Sequence, residues 1–143
     1  MLRLFPFRLA AAAVAAATGL TVTACNSSTP TNPTPVETPT AVSETFEGTL
    51  TVNGAVTHPF VVQRAGTVTL QLSGLEPSSG VAIGASIGTW NGQVCDIKLA
   101  NDAAVLNVVV TGTAATSGNF CARVYDVGKL TGPVAYQVVV THF

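Results

Sequence analysis

The chain has 143 residues, enough for one domain with a leader and a tail, and its six basic and seven acidic residues give a net charge of −1. Charged residues make up only 9% and no cluster of Lys and Arg occurs. A surface for a phosphate backbone needs such clusters, so no nucleic-acid partner is expected.

The first nine residues carry Arg3 and Arg8 and no acid, and Leu9 to Ala17 are all Ala, Val or Leu. This charged stretch followed by an apolar one has the form of an export signal. Thr18, Gly19, Thr21 and Thr23 interrupt the apolar run, which falls short of the roughly 18 to 20 residues of a membrane span. Thr23 and Ala24 are small enough for a signal peptidase pocket, and Val22-Thr23-Ala24-Cys25 resembles the lipobox of bacterial lipoproteins. The resemblance implies cleavage before Cys25, a diacylglyceryl thioether on its sulfur and an acylated amino terminus. The alternative is ordinary secretion at an Ala-x-Ala-like site. One acyl chain holds a protein only marginally, whereas two or three hold it firmly.

Residues 1–24 are therefore read as a lipoprotein signal peptide and 25–43 as the lipidated cysteine and a Ser/Thr/Pro-rich linker. Residues 44–143 are read as the folded domain. The part after residue 24 keeps four basic residues (Arg64, Lys98, Arg123, Lys129) against all seven acids, a net charge of −3. Prolines 30, 33, 35 and 39 favour polyproline II. At about 3.1 Å per residue the linker reaches roughly 50 Å. With Cys25 acylated, Cys95 and Cys121 remain as an even pair in a compartment where disulfides persist. Two buried free thiols are the alternative.

From Glu44 the pattern has period two, as strands require. Phe46, Gly48, Leu50 and Val52 alternate with threonines and Glu47, and Asn53-Gly54 supplies a turn. His58 to Gln63 and Thr67 to Ser73 follow as strands around an Ala65-Gly66 turn, and Leu75 to Gly80 reads as a loop. Val81 to Gly88 is a fourth strand and Trp90-Asn91-Gly92 a hairpin tip. Gln93 to Ala100 returns, and Asn101-Asp102 turns again. Val105 to Thr111 is apolar on both sides, which suits a strand in the middle of a sheet. Asn119 to Tyr125 and Val134 to His142 complete about eight strands, and no helical periodicity intervenes. The pattern predicts an all-β domain: one antiparallel β-sandwich or jelly roll. Cys95 shares parity with Ile97 and Leu99, whereas Cys121 shares parity with Arg123 and Tyr125. A bond between them requires a bulge, a strand end or pairing on the outer face.

Four stretches carry a further resemblance. They are His58-Pro59-Phe60-Val61-Val62 with Ala65-Gly66-Thr67-Val68-Thr69-Leu70, then Gly118-Asn119-Phe120-Cys121-Ala122-Arg123-Val124, then Tyr136-Gln137-Val138-Val139-Val140. Over about Thr45 to His142 the chain resembles bacterial pre-peptidase C-terminal (PPC-like) domains. The resemblance implies a small accessory jelly roll of secreted proteins without catalysis of its own, sometimes adhering to matrix or polysaccharide. The acid cluster that binds calcium in collagen-binding relatives has no counterpart here.

Several residues have the right types for chemistry. Gly84-Ala85-Ser86-Ile87-Gly88 matches G-x-S-x-G, but a nucleophile elbow needs a strand-to-helix turn, and here the alternation simply continues. The two glycines are read as allowing close sheet contact or a bulge. His58 and His142 would pair on a metal only if strand edges met, and are read as surface or edge residues. Asp96, Asp102 and Asp126 lie at turns, and a calcium site needs six to eight oxygens. No metal, cofactor or catalytic residue is assigned. Trp90, the one tryptophan, and Asn91 beside it are the candidate ligand contacts, an indole platform with neighbouring amides; packing is the alternative. The sequence thus predicts a non-enzymatic lipoprotein of the bacterial cell envelope. It reaches the membrane through the anchor and serves as an envelope interaction or structural module, with an envelope protein or a polysaccharide as candidate partner; the alternative is a carbohydrate- or matrix-binding adhesion module.

Overall fold

A computed structural model describes residues 39–77 and 80–143. The predicted signal peptide, Cys25 and the linker up to residue 38 lie outside the described residues. Eight strands follow in order: β1 (Val42–Leu50), β2 (Ala55–Val62), β3 (Gly66–Glu76), β4 (Ile83–Trp90), β5 (Cys95–Ala104), β6 (Val109–Ala114), β7 (Gly118–Tyr125) and β8 (Val134–His142). They form two four-stranded antiparallel sheets, β1-β8-β3-β6 and β2-β7-β4-β5. The all-β sandwich predicted from alternation and turn spacing is the observed fold.

Alternation decides which side chains meet between the sheets. Val68, Leu70 and Leu72 of β3 and Val138 and Val140 of β8 point inward from the first sheet. Phe60, Val62, Ile83, Ala85, Ile87, Ala122 and Val124 answer from the second. Each fully buried large aliphatic side chain contributes about 1.5–3 kcal/mol relative to exposure. Eight strands, the core and the Cys95–Cys121 disulfide all lie within Val42–His142, so this segment carries its own fold.

Every connection but one crosses between the sheets, and only β4 and β5 are sequence neighbours paired in the same sheet. β1 and β8 pair along nine residues, with Val42 opposite His142 and Leu50 opposite Val134. The first strand therefore begins beside the end of the last. Gln63 donates its N–H to the Phe143 carbonyl at 2.7 Å at this same pole. The registers also bring the 91–94 and 115–117 connections here, while 51–54, 105–108 and 126–133 lie at the opposite pole.

Two local expectations need correction. Asn101-Asp102 does not turn the chain: β5 runs through it to Ala104, and the register against β4 shifts there. Asn101 Oδ1 accepts the Ala103 N–H at 2.9 Å, so the turn-forming side chain supports a bulge instead. The turn comes later, at Asn107, whose φ of 69° is left-handed. Val105 to Thr111 does not form a central strand either; β6 is an edge strand with Val109 exposed. The strand covered on both faces is β4, buried from Ile83 to Gly88 by glycines and a serine that let neighbours lie over them.

Candidate interaction site

The outer face of the second sheet is organised by registers that place Pro59 opposite Cys121, Cys121 opposite Gly88 and Gly88 opposite Ile97. Val61 lies opposite Asn119, and Trp90 opposite Cys95, one step further along. Cys121 thus keeps the outward parity of Arg123 and Tyr125. It is nevertheless fully buried and bonded to Cys95, with Cα atoms 5.8 Å apart.

Two features reconcile parity with the bond. Cys95 is the first residue of β5, and Lys98 is an extra residue against β4, because Ile87 pairs with Leu99 and Gly88 with Ile97. The bulge separates the parity of Ile97 from that of Leu99, which the sequence pattern places on one inward face. The start of β5 also leans over Gly88: a Cβ there would run into the Asp96 carbonyl oxygen. Glycine at 88 is what lets β5 fold over β4 and bring Cys95 to Cys121.

The same leaning strand sets the environment of Trp90. Trp90 is the last residue of β4, half-buried beside the disulfide rather than displayed on the hairpin tip. Asn91 is exposed, but its Oδ1 accepts the N–H groups of Gln93 at 2.9 Å and Val94 at 2.7 Å. Around Trp90 the outer surface is aliphatic: Val61, Val94 and Ile97 are 49, 58 and 40% exposed, and Pro59 is exposed as well. The result is an apolar patch on a covalently braced hairpin, bordered by the exposed side chains of Asn91, Gln93 and Asn119.

The remaining candidates serve the fold. Ser86 is wholly buried and donates to the Arg123 carbonyl at 3.3 Å, so its hydroxyl belongs to the sheet. Gly84 lies under the Tyr125 ring, which a Cβ would strike. Tyr125 donates to Asp102. Burial first, then that hydrogen bond and the Asp102 charge, push the Tyr125 phenol up to about 12, against the pull of Arg123.

Asp96 pairs with Lys98. Asp126 Oδ1 accepts from Gly128, Lys129 and Leu130 at 2.8 to 3.1 Å, and Oδ2 from Asn53 at 2.8 Å. Those N–H groups, Asn53 foremost, hold the Asp126 carboxyl below its usual range. The three aspartates sit in separate networks, and no group of three metal-ligating side chains forms among the described residues.

The histidines are not merely solvated. His142 is 3% exposed, stacks near Phe60 and meets Glu44 at 2.8 Å. His58 stacks on Phe46 with ring centroids 4.8 Å apart and bonds the Tyr136 hydroxyl at 2.8 Å. Burial lowers the His58 pKa below 6.5 and raises that of Tyr136. The signal was present in the pattern, since His58 shares the parity of Phe60 and Val62.

No family model matches the chain, and no curated protein matches it. Among solved structures it is similar to the Aeromonas hydrophila protein PliG, a periplasmic lysozyme inhibitor of g-type lysozyme. The TM-score is 0.53 at 16% sequence identity, over 71% of this chain and 86% of that one. At that identity the likeness speaks for the β-rich fold.

Proposed function

We propose that this protein is an exported, lipid-anchored, non-catalytic module that binds another protein of the envelope or its surroundings through the Trp90 face. The observation that carries the reading is the apolar patch of Val61, Trp90, Val94 and Ile97 held by the Cys95–Cys121 bond. Exposed apolar surface fixed on a rigid scaffold is the usual core of a protein–protein contact, and Trp is favoured at its centre. A sugar platform would need amides free to bond hydroxyls, and Asn91 has its carbonyl oxygen committed to the turn. The exposed aliphatic area around Trp90 favours a protein partner over a polysaccharide. Fold likeness to an exported inhibitor of a protein is consistent with the choice. The PPC-like sequence motifs fit an accessory module of the same kind.

In this reading Cys25 carries the lipid and residues 26–41 lead to β1. The Trp90 patch lies at the pole where β1 begins. Anchoring is tested by Cys25→Ser, which should abolish incorporation of labelled palmitate and release the protein from the membrane fraction.

The binding test immobilises residues 39–143 and offers g-type lysozyme, other muramidases, peptidoglycan and insoluble polysaccharides, with Trp90 emission as readout. Retention of a protein with a blue shift, lost in Ile97→Asp, supports the reading. Retention on polysaccharide, lost in Trp90→Ala but kept in Ile97→Asp, would replace it with the adhesion alternative.

A further inference from the structure

Among the described residues four strand edges are unpaired: β1 and β6 in the first sheet, β2 and β5 in the second. A free edge offers unpaired N–H and C=O groups and recruits another strand unless something blocks it. Pro59 interrupts β2, and Glu44 and Glu47 lie on β1. Asp96, Lys98 and Asp102 together with two register shifts protect β5. β6 has none of these devices. Its six residues, Val109–Ala114, hold no charge and no proline, and they pair with β3 without a shift.

The space beside β6 is equally unguarded. A cleft of about 260 Å³ opens between β6 and β5, lined by Val68, Ile87, Leu99, Ala114 and Phe120 among others. Gly112 lines it, and Leu99 packs close over that glycine, where a Cβ would come within 2.5 Å of its side chain. Leu99, Val105 and Val109 are exposed along this side.

We propose that β6 pairs antiparallel with β6 of a second copy of this chain, joining the two first sheets into one continuous sheet across a two-fold axis at Thr111. The choice of a second copy follows from charge. A two-fold contact must complement itself: an axis at Thr111 sets Thr111 against itself, Val110 against Gly112 and Val109 against Thr113, none of them charged. β1 brings Glu44 and Glu47 to such a pairing, and β5 brings Asp96, Lys98 and Asp102 on a bulged edge. β2 meets its own proline. β6 alone among the four brings neither a charge nor a proline. The incoming strand then lays Val110, Gly112 and Ala114, small and apolar, over the cleft. Its Thr111 and Thr113 give β-branched cross-strand pairs on the outer side.

Sedimentation velocity on residues 39–143, from micromolar to millimolar protein, reads the association directly. A dimer growing with concentration is expected. Thr111 is exposed, so Thr111→Lys and Thr111→Glu should fold normally by circular dichroism, yet each alone should lose the dimer. Mixing the two in equal amounts should restore it. A wild type that stays monomeric throughout, a Lys variant that dimerises like the wild type, or a mixture that fails to recover would each overturn the proposal. Partner retention through the Trp90 face is read separately and should survive Thr111→Lys, so the two readings fail independently.

Discussion

Gly84 and Gly88 are both overlaid on the outer face of β4, and they differ in what overlies them. At Gly88 the obstacle is the Asp96 backbone, which cannot move without displacing Cys95. Gly88→Ala should therefore cost about 2–3 kcal/mol, near the upper range for overpacking. At Gly84 the obstacle is the Tyr125 ring, which can swing away but would leave Asp102. Gly84→Ala should cost only about 1 kcal/mol. It should also bring the Tyr125 phenol down from about 12 toward the ordinary 10, visible as earlier phenolate absorbance in an alkaline titration. Equal losses for the two variants would refute this ranking. The G-x-S-x-G spacing made the small residues visible in the sequence. Which neighbour each one admits was not visible, because that depends on a bulge at Lys98 that alternation cannot encode.

A second residue-scale outcome concerns acid. Burial favours the neutral ring of His58, so between 6.5 and its lower folded pKa the unfolded chain binds a proton that the folded chain refuses. Stability present above pH 6.5 is lost as pH falls through that window. Asp126 acts in the same direction lower down: stability present above about 3.8 disappears as pH drops toward its depressed folded pKa. Thermal melts against pH should show two descending steps. The upper one should vanish in His58→Gln and the lower one in Asp126→Asn. Unchanged profiles in both variants would remove these groups from the account.

At the scale of elements, the β4–β5 hairpin depends on its covalent brace. The bond closes a separation of 26 residues, which on the chain-entropy model contributes about 3–4 kcal/mol. Reduction should lower stability by that order and raise hydrogen exchange first at residues 93–98, where β5 leans over Gly88, with the β1–β8 ladder protected longest. Uniform loss of protection would show that the brace acts on the whole sandwich instead. Strand identities were largely legible in the sequence, because period two and turn residues are local properties. Their neighbours in the sheets were not. Val105 to Thr111 carries the apolar run of a central strand yet lies at an edge. β4, with three small residues in alternation, occupies a centre because small side chains let the flanking strands close over it.

At the scale of the whole molecule, the pairing of Val42 with His142 determines how the domain bears load. A pull between the first strand's start and the chain's end would open the β1–β8 ladder from that pole, one pair at a time, like a zip. A pull between Val42 and the 126–133 loop at the opposite pole would instead slide β1 along β8, so that all nine pairs resist together. Single-molecule stretching should thus record a low rupture force for attachment at Val42 and Phe143. It should record a markedly higher one for attachment at Val42 and Thr131, and equal forces would contradict the register. A protein held by its amino-terminal side and gripped at the far pole would be mechanically stiff, whereas a tug on its own tail would peel it apart.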